Sequence, residues 1–211
     1  RLDGLNILGV HSHLACADEP ENPKNGRQLE AFLDVRLRLH QGQACFANSS
    51  GIFLGPEYHF DMARPGVALY GLGPVPGQPN PMAQVIRLQG KIAQVRDVDT
   101  PQTVGYGATH QVEGPGRVAT VTVGYADGYL RSLSNKGTGY IGDAPVPVVG
   151  RVSMDLITLD VSSVPAHLCT PGAFVDLIGP NNPVERIADD AGTIGYEILT
   201  GLGRRYHRVY V

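Results

Sequence analysis

Leu5-Asn6-Ile7-Leu8-Gly9-Val10-His11-Ser12-His13 reads as a short buried strand that runs out into polar side chains, after which Asp18, Glu19, Pro20 and Pro23 break the pattern. The layout then repeats. Leu29, Phe32, Leu33 and Leu37 fall on one helical face, which predicts an amphipathic helix over residues 26–40. Residues 44–47 make a second strand stopping at Asn48-Ser49-Ser50, and residues 59–63 a third stopping at Arg64. Strands that each end in polar residues, with a helix among them, are the habit of parallel α/β barrels, whose chemistry gathers at the strands' carboxyl ends. Three strands do not close a barrel.

Pro74, Pro76, Pro79 and Pro81 mark a linker, and the pattern changes to period two after it, so a second domain is expected from residue 82. Residues 85–98 and 118–124 read as strands. Residues 146–161 read as a longer one, with a bend at Leu156-Ile157 where the apolar face changes. Residues 174–178 add another. Short helices are expected over 184–191 and 193–202, split by Gly192, with Thr193 as the N-cap of the second. The domains are therefore 1–81, α/β, and 82–211, mainly β with short C-terminal helices.

A chain of 211 residues with 42% hydrophobic residues buries a proper core, and 27 glycines with 16 prolines imply many turns between short elements. No apolar run is long enough for a membrane span. A net charge of −3 without a Lys/Arg block argues against a nucleic-acid partner, because phosphate backbones need clustered cations. Cys16, Cys45 and Cys169 show neither a disulfide framework nor zinc-ligand spacing, which fits a reducing cytosol and no metal. The chain opens on Arg1 with no signal peptide before the first periodic segment, so we expect it to start inside a fold.

Arg64-Pro65-Gly66-Val67 places a guanidinium at a strand end, followed by two backbone N–H groups, of Gly66 and Val67, at the start of a helical turn. Such a turn suits a phosphorylated ligand, although Arg-Pro-Gly also serves as a plain turn. In Val121-Thr122-Val123-Gly124-Tyr125-Ala126-Asp127-Gly128-Tyr129 a strand delivers the Tyr125 phenol onto a tight turn with no bulky neighbour. A phenol titrates near pKa ~10, so using one as a base at neutral pH takes about 4 kcal/mol of environment, supplied by nearby cations. His40, His59, His110, His167 and His207 stand at element ends and read as surface or turn residues.

Seven stretches, in this order and at compatible spacings, carry a resemblance: 9–19, Ala47-Asn48-Ser49, 64–71, Gly105-Tyr106-Gly107, 124–129, 149–155 and Thr193-Ile194-Gly195-Tyr196-Glu197. Together they resemble alanine racemase. The resemblance covers nearly the whole chain but only the later part of the family's length. It implies the C-terminal part of a TIM-type (β/α)8 barrel followed by a mainly β domain, the cofactor pyridoxal 5'-phosphate, alanine as substrate, and a homodimer with sites between subunits. It further implies that Arg64 faces the pyridine nitrogen with His13 beside it, that Ser49, Gly66, Val67 and Tyr196 hold the phosphate, and that Asn48 lies nearby. Tyr125 is then one of two bases, reaching the partner's pocket, and the Met154 backbone N–H meets the substrate carboxylate.

The opposite base in this family is the lysine that also holds the cofactor, in a motif near the start of the full-length family members. Lys24, Lys91 and Lys136 are the lysines here, and none matches that motif. Racemisation is thus expected only when a lysine-bearing N-terminal half is present, and the chain alone is expected to be inactive and not a well-behaved monomer. The reading from another class is a non-catalytic dimerisation or binding module that keeps the fold. A decarboxylase relative would carry a triple-glycine phosphate loop, which we do not find.

Overall fold

Val10 pairs with Ala44 and His11 with Cys45 in a parallel register joining β1 (Gly9–His11) to β2 (Gln43–Cys45). The computed structural model describes residues 4–39 and 41–211, so His40 lies outside the described residues. It divides the chain into two compact units, Arg1–Val85 and Ile86–Val211. In the first, α1 (Lys24–Arg38) supplies the crossover that a parallel pair requires. Phe32 of α1 stacks on Phe46 with ring centroids 4.7 Å apart, and Phe60 meets Phe32 edge-on at 4.9 Å. Leu14 and Tyr58 complete this core. The rest of the helical stripe is divided: Leu29 packs against the cluster, whereas Leu33 and Leu37 are 45% and 72% exposed.

The third strand expected over 59–63 is reduced to one parallel bridge between Met62 and Cys45. Two local features shorten it. Phe60 takes a left-handed φ of 54°, and the Asp61 carboxylate accepts the Ala44 N–H at 2.7 Å, a role that a neighbouring strand's carbonyl would otherwise fill. After β2 the chain turns directly into α2 (Ser49–Ile52), capped by the Asn48 side chain, which accepts the Gly51 N–H.

The second unit is built on a six-stranded antiparallel sheet. Its strands are β3 (Leu88–Val98), β6 (Gly116–Val121), β7 (Thr138–Ile141), β8 (Ala144–Pro147), β9 (Ile157–Asp160) and β10 (Phe174–Ile178), with β4 (Gln102–Val104) and β5 (His110–Val112) forming a separate hairpin. The order is β8-β7-β10-β3-β6-β9, and a bridge from Val148 to Leu159 links its two edges, so the sheet nearly closes on itself. Val121, Val146, Leu159, Val175 and Leu177 fill the interior with no exposed surface. A closed sheet leaves few edge groups for stray pairing.

The single strand expected over 146–161 is instead β8, a crossing loop and β9. Gly150, at φ 79°, turns the chain out of the ladder. Val148, Val149 and Val152 are nevertheless buried, so the loop keeps the apolar pattern of a strand. The helices are α3 (Val184–Ala191) and α4 (Gly195–Gly201). Ile194, not Thr193, caps α4: the Thr193 N–H still bonds the Ala188 carbonyl at the end of α3, and its hydroxyl goes to the Glu197 carboxylate.

Candidate active site

Three successive parallel segments in the first unit end beside one another, and the Arg64 side chain lies across their ends. Its Nη1 donates to the Cys45 carbonyl at 3.1 Å and to Cys45 Sγ at 2.8 Å. Its Nη2 donates to the Ser12 carbonyl at 2.7 Å and approaches His13 Nδ1 at 3.3 Å and the Phe46 carbonyl at 3.4 Å. The backbone N–H of Arg64 itself bonds the Ala47 carbonyl at 2.9 Å. Four Nη hydrogens are taken by these acceptors, no carboxylate is among them, and the Nε–H is the one guanidinium donor left over among the described residues.

Arg64 Nη2 and Asn48 Nδ2, both donors, face the two ring nitrogens of His13, Nδ1 at 3.3 Å and Nε2 at 3.5 Å. Gln28 of α1 holds the His13 backbone from behind, donating to its carbonyl at 3.0 Å and accepting the Ala15 N–H at 2.9 Å. Arg64, His13 and Asn48 are thereby brought together. Gln28 and Cys45 are the partners that sequence reasoning missed, for a helix-surface glutamine and a strand cysteine carry no signal of their own.

Next to them lies a small anion cradle. Ser49 is buried, and its Oγ accepts the Gly66 N–H at 2.8 Å and the Ala68 N–H at 3.3 Å. With both lone pairs engaged, the hydroxyl keeps one function, its proton to donate. The Gly66 N–H is therefore not the free donor expected from the sequence. Val67, first residue of the 3-10 turn Val67–Tyr70, has an N–H that the turn itself does not satisfy. A side chain at Gly66 would point into open space, with no atom within 4 Å of its Cβ. The Ser49 hydroxyl, the Val67 N–H and room above Gly66 are donors and space suited to a phosphate, with the Arg64 Nε–H a further donor nearby along the strand ends.

The remaining expected residues belong to the second unit. Tyr125 opens a 3-10 turn, Tyr125–Asp127, and is 43% exposed. Its N–H donates to the Ser153 carbonyl and that of Ala126 to the Met154 carbonyl, both at 3.0 Å. Gly124 leaves no alternative to this contact, since a Cβ there would lie 2.3 Å from the Met154 oxygen. Tyr125 and Met154 thus stand side by side, and Met154 is 54% exposed. Tyr196 sits in the first turn of α4, 49% exposed.

Under the turn, burial pushes the Tyr129 phenol well above its ordinary pKa, with the Asp190 charge adding to it. Burial does the same to Tyr206, reinforced by Asp127. Lys24, Lys91 and Lys136 are all exposed, Lys91 standing over the Phe174 ring at 5.2 Å. His59 bonds the Ile52 carbonyl through Nε2 at 2.8 Å. No group of metal-ligating side chains occurs among the described residues, and no described helix is long and apolar enough to cross a membrane.

Comparison with known proteins agrees with these features. Residues 1–74 match the family model described as alanine racemase, N-terminal domain, and residues 85–210 match alanine racemase, C-terminal domain. An alanine racemase of Rhodospirillum rubrum is 57% identical over 201 residues, which is 95% of this chain and 54% of that relative. The crystal structure of alanine racemase from Bartonella henselae with covalently bound pyridoxal phosphate superposes with a TM-score of 0.89 at 41% identity, over 97% of this chain and 57% of that one. Alanine racemase from Streptomyces coelicolor A3(2) gives a TM-score of 0.91 at 35% identity, over 98% and 57%. The chain spans about half the length of the relatives it matches.

Proposed function

Because the chain belongs to the alanine racemase family, we propose that it supplies the cofactor-phosphate cradle and the β domain of an enzyme that interconverts L- and D-alanine by two-base proton transfer. The observation that carries this reading is the Arg64 guanidinium, tied down by five acceptor atoms with its Nε–H left over, next to the Ser49 and Val67 donors.

Pyridoxal phosphate, when bound, supplies the electron sink that makes the α-hydrogen of an amino acid removable. Ser49, Val67 and Tyr196 would hold its phosphate in the room left above Gly66, and Arg64 would meet its ring nitrogen through Nε–H, with His13 and Asn48 alongside. An arginine does not give up its proton, so Arg64 would offer the ring nitrogen a hydrogen bond rather than a proton. Arg64 in the place of a carboxylate would thereby favour quick delivery of a proton to the α-carbon over side reactions.

Removal of a proton from one face of the α-carbon and delivery of another to the opposite face requires two bases on opposite sides. Tyr125 is the one this chain provides, acting on the cradle of a partner protomer in a homodimer, where the Arg64 guanidinium supplies the positive surroundings. The Met154 N–H takes the substrate carboxylate. The second base is a lysine of an N-terminal half that completes the barrel.

The test is addition of a polypeptide bearing that lysine and the first part of the barrel, together with pyridoxal phosphate and L-alanine. Appearance of D-alanine supports the reading. Binding of the two polypeptides without any D-alanine would favour the non-catalytic dimerisation module instead.

A further inference from the structure

Arg205, in the last stretch of the chain, joins two acidic residues that no local sequence pattern links. Its Nε lies 3.2 Å from Asp127 Oδ1 and its Nη2 2.8 Å from Asp155 Oδ1. Asp127 closes the turn that presents Tyr125, and Asp155 directly follows Met154. The Asp127 side chain is 8% exposed, its Oδ2 accepts the Gly124 N–H at 2.8 Å, and its carbonyl accepts the Gly203 N–H at 3.0 Å. A buried carboxylate needs such partners to remain charged. The hydrogen bond to Asp155, then the Asp127 charge, push the Arg205 pKa further up.

The tail holding Arg205 also presses against the turn through backbone. Gly128 has φ 96°, and a Cβ on it would lie 2.0 Å from the Gly201 oxygen. Arg208 Nη2 reaches the Leu202 and Gly203 carbonyls, each at 3.4 Å, and steadies the tail. The turn and the Met154 loop are already joined by the Tyr125 and Ala126 N–H bonds to Ser153 and Met154. Those bonds fix backbone to backbone on one side, and Arg205 fixes carboxylate to carboxylate on the other.

We propose that Arg205 is a positioning residue that sets the spacing between the Tyr125 phenol and the Met154 N–H. This rests on the reading above that both groups meet the same substrate. A planar fork is suited to bridging two carboxylates at once, and a lysine, as a point charge, is not. Neither Arg205 nor Asp155 need touch the substrate for this.

The test uses the whole chain and reads amide hydrogen exchange in Arg205→Gln, Arg205→Lys and Asp155→Asn. Arg205→Gln is expected to speed exchange about tenfold at both 124–128 and 153–156, with Arg205→Lys intermediate. Asp155→Asn leaves Arg205 on Asp127, so it should loosen 153–156 and spare 124–128. Because Asp155 is 53% exposed, that variant is expected to fold even where Arg205→Gln does not. Wild-type exchange at either loop in Arg205→Gln, or uniform loosening of the unit in Asp155→Asn, would overturn the clamp.

A second arm repeats the variants in the assembly with the lysine-bearing half, where Arg205→Lys should lower kcat about tenfold and leave cofactor affinity unchanged. Loosened loops with unchanged kcat would overturn the link to the reaction and leave the clamp standing. Normal loops in an assembly that makes no D-alanine at all would instead count against the functional reading.

Discussion

Arg64 Nη2 lies 3.3 Å from His13 Nδ1, although the two residues are 51 positions apart in sequence. Parallel pairing of β1 with β2, and the Met62 bridge beside them, create this proximity. The side chains then lock one another: acceptors take every Nη hydrogen, and the residual donor direction of the guanidinium is Nε.

Arg64→Lys tests that direction. A lysine keeps the charge and loses the fork. Hydrogen bonds to charged groups contribute about 1.5–3 kcal/mol, so in the assembly with the lysine-bearing half racemisation should fall about 10- to 100-fold. Retained cofactor affinity, measured by equilibrium dialysis, would separate this loss from damage to the phosphate cradle.

Ser49→Ala removes the acceptor shared by the Gly66 and Ala68 N–H groups. Leaving the buried Ala68 N–H unpaired destabilises by about 1–3 kcal/mol, visible as a lower urea midpoint. Cofactor affinity should fall in the same variant, because the hydroxyl proton is lost as well. An unchanged midpoint would mean that water replaces the hydroxyl.

Tyr129 predicts an alkaline instability of the chain. Its folded pKa is raised above the unfolded value of about 10, so the unfolded state loses the proton first as pH rises. The contribution is fully present below pH ~10 and declines above it, by up to about 1.4 kcal/mol per pH unit. Tyr129→Phe should flatten that decline between pH ~10 and ~11 in urea titrations, and equal slopes in both proteins would contradict it.

Much of the first unit could be read from sequence because its strands end where apolar runs meet polar residues, as at His11-Ser12-His13 and Asn48-Ser49-Ser50. Residues 59–63 could not, since the Asp61 carboxylate and the φ of Phe60 replace ladder bonds, and side-chain substitution of this kind leaves the alternation intact. The 146–161 segment misled for a related reason. Val148, Val149 and Val152 are buried in a loop, and burial rather than strand geometry sets the apolar pattern.

The site residues divide similarly. Arg64, Ser49 and Tyr125 stand in motifs whose residue types suit their chemistry. Gln28, Cys45 and Arg205 act through partners 15 to 78 positions away, as Gln28 to His13 and Arg205 to Asp127. Only the folded chain makes such pairs visible. The same holds for Gly66, whose N–H looks free in sequence and is held by Ser49 17 residues earlier.

In the proposed reaction the Tyr125 phenol carries a proton to or from the α-carbon. Its most direct measurement is solvent-deuterium exchange at the α-position of L- and D-alanine by Tyr125→Phe, assembled with the lysine-bearing half and pyridoxal phosphate. With Tyr125 as one of the two bases, exchange collapses for one enantiomer and survives for the other, whose proton the lysine handles. Near-normal exchange from both enantiomers would contradict it.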